Sequence, residues 1–172
     1  LTPYDFRTFA LPYLRNIAVD VKDNLALKSV EPPPMIVYAR GAVNHSLVEI
    51  SRLGYDVVGI DHTVEPAWAR QCLAQAQSSN RKFSEVEVNK GAQHRIAIQG
   101  NLDPAILYAR PEVIQDRVRR MFQTTTGGFG GQGALICNLG QGITPGVDPD
   151  HLRVFLEAVH RVSKEMADNN DD

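Results

Sequence analysis

The chain has 172 residues, 43% of them hydrophobic and 22% charged, the balance of one ordinary soluble domain and not of a disordered chain. A formal net charge of -2 and a pI near 6.2 give no sign of a nucleic-acid footprint, which needs a clustered basic face. No apolar run approaches the roughly 20 residues that span a bilayer, and Leu1–Thr8 lacks the basic start and apolar core of a signal peptide.

Leu1 is not an initiator methionine, so the chain reads as processed or as part of a longer sequence. Thr2 is a helix N-cap with Pro3 in the first turn, where proline's missing N–H costs nothing. Phe6, Phe9, Leu14, Ile17, Val21 and Leu25 follow at helical spacing, and Pro12 predicts a kink or a restart. Glu31-Pro32-Pro33-Pro34 ends the segment.

Four short apolar runs come next, Met35–Ala39, Val57–Ile60, Ile96–Ile98 and Ala134–Cys137. Their Val and Ile content is that of parallel strands buried on both faces. Amphipathic stretches separate and follow them: Ser46–Leu53 with Gly54 as its stop, Pro66–Leu73, Pro111–Phe122 and Pro149–Met166. Alternation of this length implies βαβ crossovers, hence an α/β fold with four parallel strands. Gln75–Arg95 breaks the rhythm as a polar insertion read as a surface loop, and Asp168–Asp172 reads as a frayed acidic tail. The whole chain, 1–172, is one partial domain.

Binding groups of parallel α/β folds collect where strands end. Here those ends read Tyr38-Ala39-Arg40-Gly41, Gly59-Ile60-Asp61-His62-Thr63, Gln99-Gly100-Asn101-Leu102-Asp103-Pro104 and Asn138-Leu139-Gly140-Gln141-Gly142. Arg40 suits a carboxylate through a bidentate fork, Asp61 can orient a donor, and Asn101 offers both amide groups. Blander roles stand beside these: Asp61 or Asp103 capping the next helix, Arg40 in a surface ion pair. His62 is the one histidine placed at a strand end; His45, His94, His151 and His160 show no metal-ligand spacing and read as surface residues. Thr124–Gly133 is glycine-rich but precedes a strand, so it is a connector and not a phosphate loop. Cys72 and Cys137 have no C-x-x-C pattern, which argues against a disulfide scaffold or structural zinc and for reduced thiols in the cytoplasm. No G-x-S-x-G or H-E-x-x-H occurs, and no metal site is expected.

Taken together, the strand ends resemble the uroporphyrinogen decarboxylase family. Leu53–Asp61 with Thr63 is similar to "aGyevvGlDwT", Gln99–Pro104 with Leu107-Tyr108-Ala109 to "QGNlDPxxLya", and Asn138–Gly142 with Pro149, His151 and Phe155–His160 to "NLGHGi…P.H…fveavh". Phe9–Tyr13 resembles "FalPY". The resemblance implies the carboxyl-terminal half of a TIM-type (β/α)8 barrel, from an enzyme that forms cytoplasmic homodimers. That enzyme removes the four acetate carboxyls of uroporphyrinogen III, giving coproporphyrinogen III in haem biosynthesis without metal or organic cofactor. It makes the tetrapyrrole the partner, and implies that the main acid–base residues lie upstream of Leu1. Gln141 stands where the family has histidine, and is the first candidate for substrate binding, ahead of Arg40, Asp61, Asn101 and Asn138. Glutamine hydrogen-bonds a carboxylate but cannot become cationic. Two alternatives follow: a non-catalytic tetrapyrrole-binding paralogue, and a corrinoid-dependent methyltransferase relative, which would need zinc held by His and Cys. Four strands of eight would also leave open edges, so the chain alone is expected to be inactive.

Overall fold

A computed structural model of the chain describes residues 1–80, 96–123 and 134–168. Helices α1 (Pro3–Phe9) and α2 (Leu11–Leu27) precede strand β1 (Ile36–Tyr38), helix α3 (Val43–Ile50), strand β2 (Val57–Gly59) and helix α4 (Pro66–Asn80). Strand β3 (Ala97–Leu102), a 3-10 turn at Pro104–Tyr108, helix α5 (Pro111–Gln123), strand β4 (Leu135–Leu139) and helix α6 (Pro149–Asp168) complete the order.

Thr2 caps α1 as expected, its hydroxyl accepting from the Asp5 N–H at 3.1 Å. Pro12 marks a restart: the helix breaks at Ala10 and resumes with proline in the first turn of α2. Termination comes before the prolines. Ser29 takes φ 54°, and the N–H groups of Ser29 and Val30 return to the carbonyls of Ala26 and Leu25. This is a Schellman cap, which satisfies two of the helix's last carbonyls. The apolar stripe of these helices is only partly covered. Phe6 and Ala18 are buried, whereas Phe9, Ile17 and Val21 face solvent.

All four strands are parallel, in the order β1-β2-β3-β4. Val37, Val58 and Ile98 share one register row and are all buried. Residues on one row of a parallel sheet point to one face, and this row meets a core that includes Val43, Leu47, Ile50, Leu107, Ile114 and Val118. The expectation of strands buried on both faces fails for the outer pair. Ile36, Tyr38 and Ile136 are 46%, 46% and 41% exposed, whereas Val57 and Ala97, on the Ile36 register row of the inner strands, stay buried. Continuous Val/Ile runs encode apolarity on both faces, and the inner strands bury both, as Val57 and Val58, Ala97 and Ile98 show.

Three further boundaries differ. Strand β3 continues through Gln99–Leu102, the polar strand end itself. Helix α4 runs on to Asn80, so the first part of the Gln75–Arg95 insertion is helical, while 81–95 lie outside the described residues. Helix α3 starts earlier than Ser46 and stops at Ile50; Gly54, at φ 97°, turns the chain beyond it. The connector Thr124–Gly133, His94 and the tail beyond Asp168 also lie outside the described residues.

Candidate active site

The upper rim of the sheet, where the strands end, is organised by Asp61. This carboxylate is 3% exposed. One oxygen accepts from the Gly41 N–H at 2.9 Å, the other from the Thr63 N–H at 2.9 Å and the Thr63 hydroxyl at 2.5 Å. Burial pushes its pKa up, but these hydrogen bonds and the neighbouring His62 outweigh burial and hold it below the ordinary carboxylate value. Asp61 is therefore an ionised staple between the loops after β1 and β2. It does not cap α4, which begins at Pro66.

Asn101 is buried, and its Nδ2 donates to the carbonyls of Asp61 at 2.9 Å and Val64 at 2.7 Å. Both amide hydrogens are thus engaged by the backbone of the β2 loop. Gly100 makes this approach possible. Its φ is +142°, and a Cβ there would lie 2.6 Å from the Ile60 carbonyl oxygen, so no other residue fits without displacement of backbone. Asp103 does cap, accepting from the Ala105 N–H at 2.9 Å to start the 3-10 turn.

The loop after β4 folds back over this platform. The Gly140 N–H donates to the Leu102 carbonyl at 2.7 Å, and the Tyr38 hydroxyl donates to the Gly140 carbonyl at 2.9 Å. A Cβ on Gly140 would overlap the backbone of His62, so the two loops touch main chain to main chain. Tyr38 reaches across because β2 carries Gly59 on the same register row; a Cβ there would meet the tyrosine ring at 2.9 Å. Burial, then the Asp61 charge, raise the Tyr38 pKa, with Arg40 opposing. At neutral pH the phenol is a donor, as its bond to Gly140 requires.

Of the residues expected at the site, Gln141 is half-buried with Oε1 enclosed and without a hydrogen-bond partner among the described residues. Arg40 is exposed at the rim and forms no ion pair among the described residues. Asn138 is exposed, its Oδ1 accepting from the Leu139 N–H at 2.8 Å. His62 is half-buried, its Nδ1 enclosed and without a partner among the described residues. Tyr38 was the residue that sequence reasoning passed over. Its only signal was a tyrosine ending one strand level with a glycine ending the next. Two histidines expected on the surface are partly buried: His45 lies beside Ser46 at 2.6 Å and edge-on to Phe6, and His151 donates to the Leu107 carbonyl at 2.7 Å.

A cavity of about 180 Å³ opens at this rim among His62, Glu65, Asn101, Asp103, Arg117 and Arg120. A second, about 540 Å³, lies behind the sheet against α6 and is lined largely by apolar residues such as Phe122, Leu135 and Phe155. Cys137 lines it too, and burial pushes that thiol up to about 12, which removes it as a ready thiolate. Among the described residues no three His, Cys, Asp or Glu side chains group as a metal site, and no helix is long and apolar enough to cross a membrane.

A model of the uroporphyrinogen decarboxylase (URO-D) family matches residues 1–162. The uroporphyrinogen decarboxylase of Schizosaccharomyces pombe is 41% identical over 94% of this chain and 39% of its own length. That of Danio rerio is 38% identical over 96% and 38%, and that of Homo sapiens 36% over 98% and 39%. The chain thus spans about two fifths of the length of the curated relatives it matches. Among solved structures, a methyltransferase from Methanosarcina mazei superposes with a TM-score of 0.62 over 94% of this chain and 38% of that one. At 15% identity this likeness concerns the fold alone, four parallel strands of a TIM-type barrel.

Proposed function

The chain belongs to the uroporphyrinogen decarboxylase family, and from that premise we propose that the protein carrying it converts uroporphyrinogen III to coproporphyrinogen III as a cytoplasmic homodimer, in the route to haem. In this reading the segment contributes barrel wall and one side of the substrate rim. The carrying observation is the upper rim itself: Asp61 ties the loops after β1 and β2, and the Tyr38–Gly140 bond fixes the residue beside the half-buried Gln141.

Each decarboxylation breaks the bond between an acetate carboxyl and its methylene. Carbon dioxide leaves, the electron pair returns toward the pyrrole, and a proton completes the methyl group. Such chemistry asks for positioned donors and cations around the carboxylates that are not reacting, in a cleft with little water. Arg40, exposed beside Tyr38, and Gln141 supply a cation and a neutral amide for that purpose. The acid–base pair itself belongs to the remainder of the barrel.

The test is carbon dioxide release from uroporphyrinogen by the full-length protein, with Gln141→His measured alongside. Turnover is expected in both, and faster in Gln141→His if a cation at this corner helps the departing charge. Gln141 also favours a second reading, a paralogue that binds tetrapyrrole without turnover. Porphyrin binding with no carbon dioxide released, unrescued by Gln141→His, would establish it.

A further inference from the structure

Most links between the strand ends join neighbours. Asp61 ties the loops after β1 and β2, Asn101 ties β3 to the loop after β2, and the Gly140 N–H ties the loop after β4 to Leu102. One bond leaves this pattern. The Tyr38 hydroxyl, at the end of β1, donates to the Gly140 carbonyl beyond β4 at 2.9 Å, and so joins the first and last strands of the sheet. With strands about 4.8 Å apart, three spacings exceed what one tyrosine side chain reaches. The gap closes from both sides: Gly140 has come back against His62 and the end of β3, and the tyrosine lies across β2.

Lying across β2 depends on Gly59. The two residues share a register row, and a Cβ on Gly59 would stand 2.9 Å from the Tyr38 ring carbon Cδ2 and 3.2 Å from its Cβ. Gly59 has no positive φ, so its backbone would accept a side chain; the ring is what excludes one. A glycine inside a strand weakens it, and its usual reason is a close approach of this kind. Tyr38 itself is 46% exposed, on the sheet face opposite the Val37–Val58–Ile98 row. It stands outside the core cluster, to which Tyr55 belongs. A link outside the core, at the end of the sheet where binding groups collect, serves to place a loop.

We propose that Tyr38 is a positioning residue for the substrate rim: its hydroxyl, let across β2 by Gly59, fixes where the loop after β4 stands. The proposal rests on the function proposed above and deepens it by naming two residues that act through that loop.

The experiment takes the full-length protein as wild type, Tyr38→Phe, Tyr38→Ala, Gly59→Ala and the double variant Tyr38→Ala with Gly59→Ala. Loss of one positioned hydrogen bond predicts KM for uroporphyrinogen raised about three- to tenfold in Tyr38→Phe, with kcat within about twofold of wild type. Tyr38→Ala should match Tyr38→Phe, because the hydroxyl and not the bulk of the ring sets the loop. Gly59→Ala should raise KM too, by lifting the ring, and should add nothing once Tyr38→Ala has removed the ring. Wild-type KM in Tyr38→Phe, or additive effects of Gly59→Ala and Tyr38→Ala, overturn the proposal. Tyr38→Phe carries the test if an alanine variant does not fold.

Hydrogen exchange over residues 138–142, read by mass spectrometry, requires no turnover. It should quicken about three- to tenfold in Tyr38→Phe and in Gly59→Ala. In Tyr55→Phe, which loses a similar bond at the other end of the sheet, it should stay at the wild-type rate. Unaltered exchange in Tyr38→Phe, or equal quickening in Tyr55→Phe, overturns the proposal. If wild type releases no carbon dioxide, the proposed reaction fails, and this exchange measurement alone decides for or against Tyr38.

Discussion

The two rims of the sheet treat polar groups in opposite ways. At the lower rim, where strands begin, Asp56 accepts from the Met35 N–H at 2.7 Å and faces Lys22 at 3.4 Å, and the Tyr55 hydroxyl donates to the Leu14 carbonyl at 2.9 Å. These contacts fasten α2 to the sheet. At the upper rim Asp61 and Tyr38 do the equivalent work between loops. Yet of the three enclosed side-chain atoms that lack partners among the described residues, two, on His62 and Gln141, lie in loops that follow strands, and the third, on His45, lies in α3. A rim that only has to hold answers its polar groups internally. The other leaves some unanswered among the described residues.

The comparison can be broken at several strengths, each read on the full-length protein. Gly100→Ala should cost most, more than about 3 kcal/mol in urea unfolding, because it combines a disfavoured φ with a backbone overlap at the Ile60 carbonyl. A loss under about 1 kcal/mol would mean that the β2 and β3 ends yield easily. Asp61→Asn should cost about 2 kcal/mol at neutral pH by weakening hydrogen bonds to a charged acceptor. Because the folded pKa is depressed, that stabilisation is present above the unfolded value of about 4 and is lost as pH falls through the lower folded value. The difference between wild type and Asp61→Asn should therefore shrink in acid; a difference that grows would refute the depressed pKa.

Two tyrosines sharpen the contrast. Tyr38→Phe and Tyr55→Phe each remove one hydroxyl-to-carbonyl bond, worth about 1 kcal/mol. Only Tyr38→Phe should also alter KM for uroporphyrinogen, since it frees the β4 loop; equal kinetic effects would erase the distinction between rims. Arg7→Gln sets the floor. Its 2.7 Å pair with Glu49 is solvent-exposed, and less than about 0.5 kcal/mol should be lost.

Much of the scaffold was legible because Val/Ile runs and amphipathic spacing report directly on a parallel sheet and its helices. The extent of β3 was hidden, since Gln99–Leu102 carries the polarity of a loop while keeping ladder hydrogen bonds. The end of α4 was hidden for a similar reason: Gln75–Asn80 has little apolar content to mark a helix face. At the site, composition identified the polar strand ends but not their division of labour. Asn101 and Asp61 look like ligands in a string of letters, whereas the fold directs the amide of one to Asp61 and Val64 carbonyls and the carboxylate of the other to Gly41 and Thr63. The Gly140–His62 approach joins residues far apart in the chain, and no local pattern announces it.

The contacts that set the β4 loop around Gly140 run through that residue's main chain: its N–H to Leu102, its carbonyl from Tyr38 and its bare α-carbon against His62. None of them depends on the side chain that follows. Position 141 is therefore an interchangeable socket, where one amino acid can be exchanged for another while the loop keeps its path. An exchange at 141 that fits its half-buried space should leave the path of the loop unchanged.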